Sequence, residues 1–393
     1  MDKFTTEIIQ TLAQNGNIGE VFRSHLEKAV NTLLAQELTA FLDYEKYDRI
    51  GFNSGNSRNG VYERTLHTEY GDLKLEIPRD RNGDFRQQTI APYKRSNDTL
   101  ENTVIHLFQK GITMTEIAHL IERMYGHHYS PQTVSNMTQA MNDEVEAYHN
   151  RQLSNRYSCV YLDATYIPIK RDTVAKEAVY LAIGIRLDGS KEVLGYTIAP
   201  TESVHVWREL LENFRERGME EVLLFISDGL KGMESMLSEV YPHAHYQTCL
   251  VHVQRNLSHK VRTKDRAEVC DDFKQVYRAE TVEEAIQARE RFIKKWQTAY
   301  PKLVPMIKGD AILTFYAFPQ SIRRSIYSTN LIESVNKQLK KYTKRKEQFP
   351  NEASLERFLV SQLNDYNTRF LARCHLGFDQ ARAELEAMFD RSM

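Results

Sequence analysis

Cysteine is scarce in this sequence, because the 393 residues include only 4 Cys, at positions 159, 249, 270 and 374. So few thiols cannot form the disulfide framework of a small secreted protein, and they fit a reducing compartment. Long apolar runs are also lacking, since no segment approaches the roughly 20 residues that cross a bilayer. The first residues lack the charged and apolar regions of a secretory signal, so we expect a cytoplasmic protein.

A glycine-rich phosphate loop of the Walker type is absent as well, so the sequence does not indicate ATP hydrolysis. The chain has no overall excess of either charge, since 52 Lys and Arg residues balance 53 Asp and Glu residues. DNA-binding proteins usually carry a basic excess, and here it is only local. Residues 323–347 contain eight Lys or Arg and two Glu, which could contact phosphates or form an ordinary solvated helix face.

The length of the chain predicts two or three domains. Residues 1–95 are expected to be a mainly helical region with a small β-hairpin whose turn lies at Gly71-Asp72. Arg79, Arg81 and Arg86 lie in the loop predicted to follow this hairpin, and they either contact DNA phosphates or belong to a plain exposed loop.

Residues 96–156 resemble a helix-turn-helix DNA-binding domain. Ser130 is placed as an N-cap before Pro131, and Gln132 and Thr133 begin the last helix of the set. In a helix-turn-helix, this helix enters the major groove with its N-terminal residues against the bases. Both side chains are therefore candidate DNA contacts, although many three-helix bundles share the pattern without reading DNA.

Strand-like segments dominate residues 157–248. Three strands, with a hairpin turn at Asp188-Gly189, precede two further strands that alternate with helices. This order predicts an α/β fold with a mixed five-stranded sheet and helices on both faces. Residues 249–327 are expected to be an all-helical segment, and residues 328–393 a further set of helices.

Three acidic residues stand in positions that favour metal-dependent chemistry. Asp163 lies among apolar residues of the first of these strands, and Asp228 ends an apolar strand, where α/β sheets place their ligand sites. Glu333 follows on a helix. Three carboxylates are typical of two-metal phosphoryl transfer, with Mg²⁺ as the expected ion and Mn²⁺ as a substitute. Taken singly, they could instead be an exposed strand residue, a turn residue and a helix-capping residue.

The helix that carries Glu333 is predicted to be amphipathic. Its apolar seam consists of four residues at helical spacing, namely Ile332, Val335, Leu339 and Tyr342. The face that includes Glu333 carries a row of lysines, followed along the chain by one arginine: Lys337, Lys340, Lys344 and Arg345. We expect Glu333 to hold a metal ion while these cations contact DNA phosphates.

The chain resembles the bacterial transposases of the Mutator type, which are found in insertion sequences. The matching motifs are, in order, NSRNGVYERTLHTEYGDLKLEIPRDRNGDF, YLDATYIPIK, ISDGLKGM, CLVHVQRN and STNLIESVNK. The resemblance implies an RNase-H-like catalytic core whose acidic triad falls on Asp163, Asp228 and Glu333. It also implies that residues 249–327 are an insertion into this core, and that the N-terminal region binds the terminal inverted repeats of the element.

The same resemblance implies DNA as the partner, both the terminal repeats and the target. Two DNA ends are joined in one event, so at least a dimer is expected. One alternative is an RNase-H-like nuclease without strand transfer, against which the helix-turn-helix and the helical insertion argue. Another is a non-catalytic DNA-binding regulator, against which the intact triad argues.

Cys249 and His252 match the Cys-x-x-His motif of this family. Together with His243 and His245 they could form a zinc site, but their spacing is not that of a zinc finger. A role in packing or in positioning a DNA strand is favoured.

Overall fold

The computed structural model describes residues 3–46, 55–90, 98–125, 128–171 and 173–391. The chain forms two compact units, Met1–Ala140 and Met141–Met393. The finer division into five segments stays a prediction. Within the described ranges, no helix combines the length and the apolar character needed to cross a membrane.

The first unit consists of helices and one β-hairpin. Its elements are α1 (Lys3–Ala13), α2 (Ile18–Leu42), β1 (Arg58–Thr68), β2 (Gly71–Asp80), α3 (Asp98–Gln109), α4 (Met114–Tyr125) and α5 (Pro131–Thr138). Helix α2 packs on the hairpin, where Leu34 joins Leu73, Leu75 and Ile77 in a small buried core. Each such side chain contributes about 1.5–3 kcal/mol when it is fully buried.

The turn of this hairpin differs from the predicted one. Strands β1 and β2 pair with Thr68 opposite Gly71, so the turn residues are Glu69 and Tyr70 rather than Gly71-Asp72. The Thr68 hydroxyl donates to the Gly71 carbonyl at 2.7 Å and accepts from the Tyr70 N–H at 3.2 Å, which closes the turn earlier. The register is set by the apolar face, because a shift by one residue would turn the buried leucines outward.

The second unit is built on a five-stranded sheet. Its first elements are α6 (Asn142–Asn150), β3 (Arg156–Lys170), β4 (Val174–Ile185), β5 (Lys191–Ala199), α7 (Val204–Glu216), β6 (Glu221–Ser227), α8 (Met233–Val240) and β7 (His245–Thr248). The strand order is β5-β4-β3-β6-β7. The pairs β3–β4 and β4–β5 are antiparallel, whereas β3–β6 and β6–β7 are parallel. The predicted mixed five-stranded sheet, including the turn at Asp188-Gly189, is confirmed.

Helices complete the second unit. They are α9 (Leu250–His259), α10 (Arg266–Tyr277), α11 (Val282–Trp296), α12 (Val304–Ile307), α13 (Arg323–Ile326), α14 (Asn330–Lys346), α15 (Glu352–Phe370) and α16 (Phe378–Arg391). Helix α11 begins at its N-cap Thr281, whose hydroxyl accepts from the Glu284 N–H at 3.2 Å. The described part of residues 249–327 contains no strand.

The two faces of the sheet bury different helices, because alternate residues of a strand point to opposite sides. Val160 and Leu162 of β3 join the core formed with α7 and α8, which includes Trp207 and Phe214. Tyr161 points to the other face, where its hydroxyl donates to the Ser325 carbonyl of α13 at 3.1 Å. Asp163 shares this second face with Tyr161, and helix α14 lies against β3 there.

Candidate active site

The sheet brings Asp163 and Asp228 next to each other on neighbouring strands. Strands β3 and β6 are parallel neighbours, and their last paired residues are Tyr161 and Ile226. Each aspartate lies two residues beyond this pair along its own strand direction. Asp163 lies within β3, just past the segment that pairs with β6, whereas Asp228 directly follows the last residue of β6. Because the two strands run in the same direction and in register, the two carboxylates are neighbours at the carboxyl end of β6, the usual place for a ligand site in α/β sheets.

The Asp163 carboxylate is partly buried and hydrogen-bonded. Its Oδ2 accepts from Asn336 Nδ2 of α14 at 2.8 Å, and its Oδ1 accepts from the Ala164 N–H at 3.0 Å. Burial raises the pKa of Asp163 to about 6, and the negative charge of Asp228 adds to this, while Asn336 and His252 act in the opposite direction. The carboxylate is therefore poorly solvated and gains from a cation.

Asp228 opens a tight loop after β6. Its Oδ1 accepts from the Leu230 N–H at 3.3 Å, and Gly229 adopts a φ of +91°, which a residue with a side chain rarely does. A further carboxylate lies near it, on Glu202 between β5 and α7. Burial raises the pKa of Glu202, and the charge of Asp228 raises it further. The sequence did not single out Glu202, which reads there as part of an ordinary helix start.

Glu333 lies in the first turn of α14 and is held by two basic side chains of α9. Arg255 Nη2 is 3.2 Å from Glu333 Oε2, and its Nη1 donates to Oε1 at 3.4 Å. His252 Nε2 is 3.6 Å from Glu333 Oε1. The Glu333 side chain is only 13% exposed, so this negative charge is matched within the protein.

The Cys-x-x-His motif connects α9 to the start of α14. The buried Cys249 Sγ accepts from both the N–H and the hydroxyl of Thr329, each at 3.2 Å. The same hydroxyl is 3.3 Å from His252 Nδ1. Thr329 is the N-cap residue of α14, so the motif fixes the end of the helix that carries Glu333.

This arrangement changes the ionisation of both motif residues. Burial alone would raise the pKa of the Cys249 thiol, but hydrogen bonds with His252 and Thr329 outweigh burial and bring this pKa below its usual value. The hydrogen bond with Cys249, followed by the charges of Cys249, Asp163 and Glu333, raises the pKa of His252 despite its burial. The contact between Cys249 and His252 thus favours the thiolate form of one and the protonated form of the other.

The donor set of the three acids fits a hard divalent cation, since carboxylate oxygens are the ligands that Mg²⁺ prefers. The three side chains do not, however, form a ready metal site. Across the described ranges, no group of three or more His, Cys, Asp or Glu side chains is arranged to hold a metal ion. This applies equally to the zinc arrangement considered for Cys249 and His252 with His243 and His245.

Helix α14 presents the predicted basic row to solvent. Lys337, Lys340 and Lys344 are exposed, while Ile332, Val335 and Leu339 of the apolar seam are buried. The side chain of Arg345 lies outside the described residues.

One lysine of the basic segment has a packing role instead. Lys346 is buried, with its Nζ 5.4 Å from the ring centre of Phe349 and 5.6 Å from that of Phe358. It therefore does not extend the exposed row.

In the first unit, the predicted helix-turn-helix residues lie at the start of α5. Gln132 is exposed and donates to Asn136 Oδ1 at 3.0 Å. The Thr133 N–H donates to the Ser130 hydroxyl at 3.1 Å, which makes Ser130 the predicted N-cap. Arg79 is exposed but lies in β2 rather than in the predicted loop, because the strand extends to Asp80. Arg81 is exposed directly after the strand.

Sequence reasoning missed Asn336, Arg255 and Thr329. Two of them carried a usable signal. Asn336 lies three residues after Glu333 and Arg255 three after His252, so each is one helical turn from a residue already singled out. That these pairs meet across α9, α14 and β3 depends on tertiary packing that spacing does not reveal.

Comparisons with known proteins give one consistent relationship. A family model described as "Transposase, Mutator family" matches residues 2–372. The chain is 50% identical over 391 residues to the transposase for insertion sequence element IS905 of Lactococcus lactis subsp. lactis (strain IL1403), covering 99% of this chain and 100% of that protein. It is 48% identical over 368 residues to the transposase for IS1201 of Lactobacillus helveticus, covering 93% and 100%.

A more distant relative is the transposase for ISRM3 of Rhizobium meliloti (strain 1021), 32% identical over 369 residues, with 91% of this chain and 92% of that protein covered. A solved structure, the Drosophila P element transposase strand transfer complex, aligns with 79% of this chain and 88% of its own. Its sequence identity is 11% and its TM-score 0.30, a likeness too weak to establish a common fold.

Proposed function

Because the chain belongs to the Mutator family of insertion-sequence transposases, we propose that it binds the terminal inverted repeats of its element and performs strand cleavage and strand transfer at Asp163, Asp228 and Glu333. The family consists of enzymes that act on DNA, so the open questions concern the site and its chemistry. We propose an RNase-H-like core for the five-stranded sheet, with residues 249–327 as an insertion.

The observation that carries the proposal is the shared position of the three acids. Asp163, within β3, and Asp228, directly after β6, lie side by side at the carboxyl end of β6. Helix α14, which carries Glu333, is joined to Asp163 by the hydrogen bond from Asn336, one turn further along. The three acids therefore lie on three elements, β3, the end of β6 and α14, that meet at this part of the sheet.

Asp163, Asp228 and Glu333 would hold divalent metal, and we propose Mg²⁺. Two such ions stabilise the attacking and leaving oxygens of an in-line phosphoryl transfer. The residues of the chain prepare this site. Burial disfavours the free carboxylate of Asp163, so a bound cation would stabilise it. Asn336 fixes the orientation of this carboxylate. The hydrogen bonds from Thr329 to Cys249 fix the start of α14.

The DNA contacts of the proposal follow from exposure and charge. Lys337, Lys340 and Lys344 continue along α14 from Glu333, so a strand in the active site would have its phosphates next to this row. Helix α5, with Gln132 and Thr133, would read the terminal repeats. Because two ends are joined in one event, the active form is proposed to be at least a dimer.

The proposal is tested by placing the gene with its native flanking DNA in a cell and amplifying outward across the element ends. The wild-type protein is expected to yield abutted-end junctions, and Asp228→Asn none. A matched control is Asp365→Asn, since Asp365 is exposed on α15 and forms only a surface ion pair with Arg369. Junctions from Asp228→Asn at the wild-type level would refute the assigned site, and cleavage products without junctions would favour a nuclease without strand transfer.

Arg255 is expected to compete with metal for Glu333. Replacing it by Gln removes a positive charge from the carboxylate, so Mn²⁺ should bind the DNA-free protein about two- to fivefold more tightly, the range for a partly exposed ion pair. Calorimetric titration of Mn²⁺ into the full chain measures this.

Arg208→Gln is the control, because Arg208 forms an ion pair with the exposed Glu239. Equal or weaker Mn²⁺ binding by Arg255→Gln would show that Arg255 does not compete, and Glu333→Gln supplies the reference for loss of the ligand.

A further inference from the structure

A groove in the first unit is lined by residues of the β1–β2 hairpin and of the loop that follows it. Its volume is about 720 Å³. Six of its lining residues matter here, and we call this site the hairpin groove: Tyr62, Arg64, Arg79, Asp80, Phe85 and Arg86. Three of the six are arginines that come from both strands and from the loop.

The acid among these six residues is already used to build the loop. Asp80 is buried, with 4% of its surface exposed. Its Oδ2 accepts from Asn56 Nδ2 at 2.8 Å and from the Asp84 N–H at 3.0 Å, and its Oδ1 accepts from the Phe85 N–H at 3.2 Å. The carboxylate therefore holds the loop in place, and the groove presents guanidinium groups to solvent.

Two of these guanidinium groups are oriented by the protein itself. Arg79 lies over the ring of Tyr62, with its Cζ 5.9 Å from the ring centre. Arg86 Nη1 donates to the carbonyls of Gly83 and Phe85 at 2.8 and 3.0 Å. A guanidinium that is stacked or bonded on one side keeps its other N–H groups available, which is the geometry that binds phosphate.

We propose that the hairpin groove binds the phosphate backbone of DNA, as a contact of the first unit separate from helix α5. The DNA itself rests on the proposed function. The groove favours a phosphodiester chain over a single free phosphate, because its three arginines come from two strands and a loop and line a groove of about 720 Å³, which is much larger than one phosphate. Its exposed aromatic residue, Tyr62 at 45% exposure, offers a surface for a sugar or a base beside the phosphates.

The hairpin groove contains two of the three arginines that the sequence offers as phosphate contacts. Arg79 and Arg86 line it together with Arg64, whereas Arg81 is not among its lining residues. Phosphate contacts position a protein on DNA without reading sequence. The hairpin groove is thus expected to add affinity equally on any duplex, while sequence preference comes from elsewhere.

The test measures salt dependence with the full chain in EDTA, where metal-dependent cleavage cannot occur. A fluorescent duplex from the element end and a scrambled duplex of the same length are titrated by anisotropy at several salt concentrations. For Arg79→Gln/Arg86→Gln we expect the slope of log K against log salt to become shallower by about 2 on both duplexes, near 0.9 for each lost phosphate contact. Arg81→Gln, in the same loop, should keep the wild-type slope.

One further double variant separates a lost phosphate contact from a damaged fold. Arg79→Lys/Arg86→Lys retains the charge and should retain most of the slope, which separates lost phosphate contacts from a damaged hairpin. A wild-type slope in Arg79→Gln/Arg86→Gln, or an equal loss in Arg81→Gln, would overturn the hairpin groove while leaving the transposase function intact. Failure of the wild-type chain to bind either duplex would overturn both proposals.

Discussion

Asp163→Asn is expected to lower the rate of DNA strand cleavage by a factor on the order of 10³ or more. A bound metal supplies several kcal/mol of charge stabilisation in the transition state, and each 1.36 kcal/mol is a factor of ten in rate. Asn keeps the size of Asp and can still face Asn336, but it removes the charge that would hold the proposed cation. Cleavage of a labelled end duplex in Mg²⁺, followed on a denaturing gel, measures the effect.

The variant is not expected to unfold the protein. The charge of Asp163 is poorly solvated in its partly buried position, which is why its pKa is raised. A neutral residue of the same shape avoids this desolvation cost in the folded state. Duplex binding in EDTA and the thermal transition should therefore match or exceed those of the wild type. Asp271→Asn, on an exposed residue of α10, serves as the control for a lost surface charge. Wild-type cleavage by Asp163→Asn would remove Asp163 from the proposed site.

Glu192→Ala is expected to lower the free energy of unfolding of the second unit by about 3–5 kcal/mol, the usual cost of removing one partner from a buried ionic network. Glu192 of β5 is 1% exposed. Its carboxylate accepts from the Tyr157 hydroxyl at 2.6 Å, from Arg151 Nη1 at 2.7 Å and from Arg186. Without it, two guanidinium groups lose their counter-charge. Urea unfolding followed by circular dichroism measures the change.

The control for this prediction is Glu239→Ala, which removes an exposed ion pair with Arg208 and should cost less than about 1 kcal/mol. Equal losses in the two variants would contradict a special contribution from the buried network.

The network around Glu192 also makes the stability of the protein depend on pH. Burial would raise the pKa of Glu192, but hydrogen bonds with Tyr157 and Arg151 and the nearby positive charges outweigh it and hold the pKa below its usual value. A carboxyl whose pKa is depressed by folding stabilises the protein above its unfolded pKa, and this stability is lost as the pH falls through the folded value. The stability difference between the wild type and Glu192→Gln should therefore shrink in acid, and a difference independent of pH would contradict the assignment.

The sequence carried enough to predict the sheet and the positions of two acids. Strand segments rich in β-branched residues, with a glycine turn at Asp188-Gly189, predicted the number of strands and their succession along the chain, but not their order in the sheet. Asp228 could be placed because it directly follows an uninterrupted apolar strand. The two faces of α14 followed from helical spacing alone, since the buried and exposed positions alternate with the period of the helix.

What the sequence did not reveal depends on contacts between distant segments. The hairpin turn was misplaced because Gly71 carries a strong local turn signal, whereas the actual register follows the burial of Leu66 and Leu73. The hydrogen bond from Asn336 to Asp163 spans 173 positions, and the ion pair between Arg255 and Glu333 spans 78. Local patterns give the face of a helix but not the residue that this face meets.

The course of α9 limits how this enzyme could be shortened. The helix begins directly after β7, at the N-cap Cys249, and so opens the segment that sequence reasoning assigned to an insertion. Yet the side chains that secure α14 and hold Glu333 belong to this first helix. Excising residues 249–327 as a detachable module would therefore remove the support of the third acid. A viable miniature enzyme has to retain α9 and place its deletion after His259.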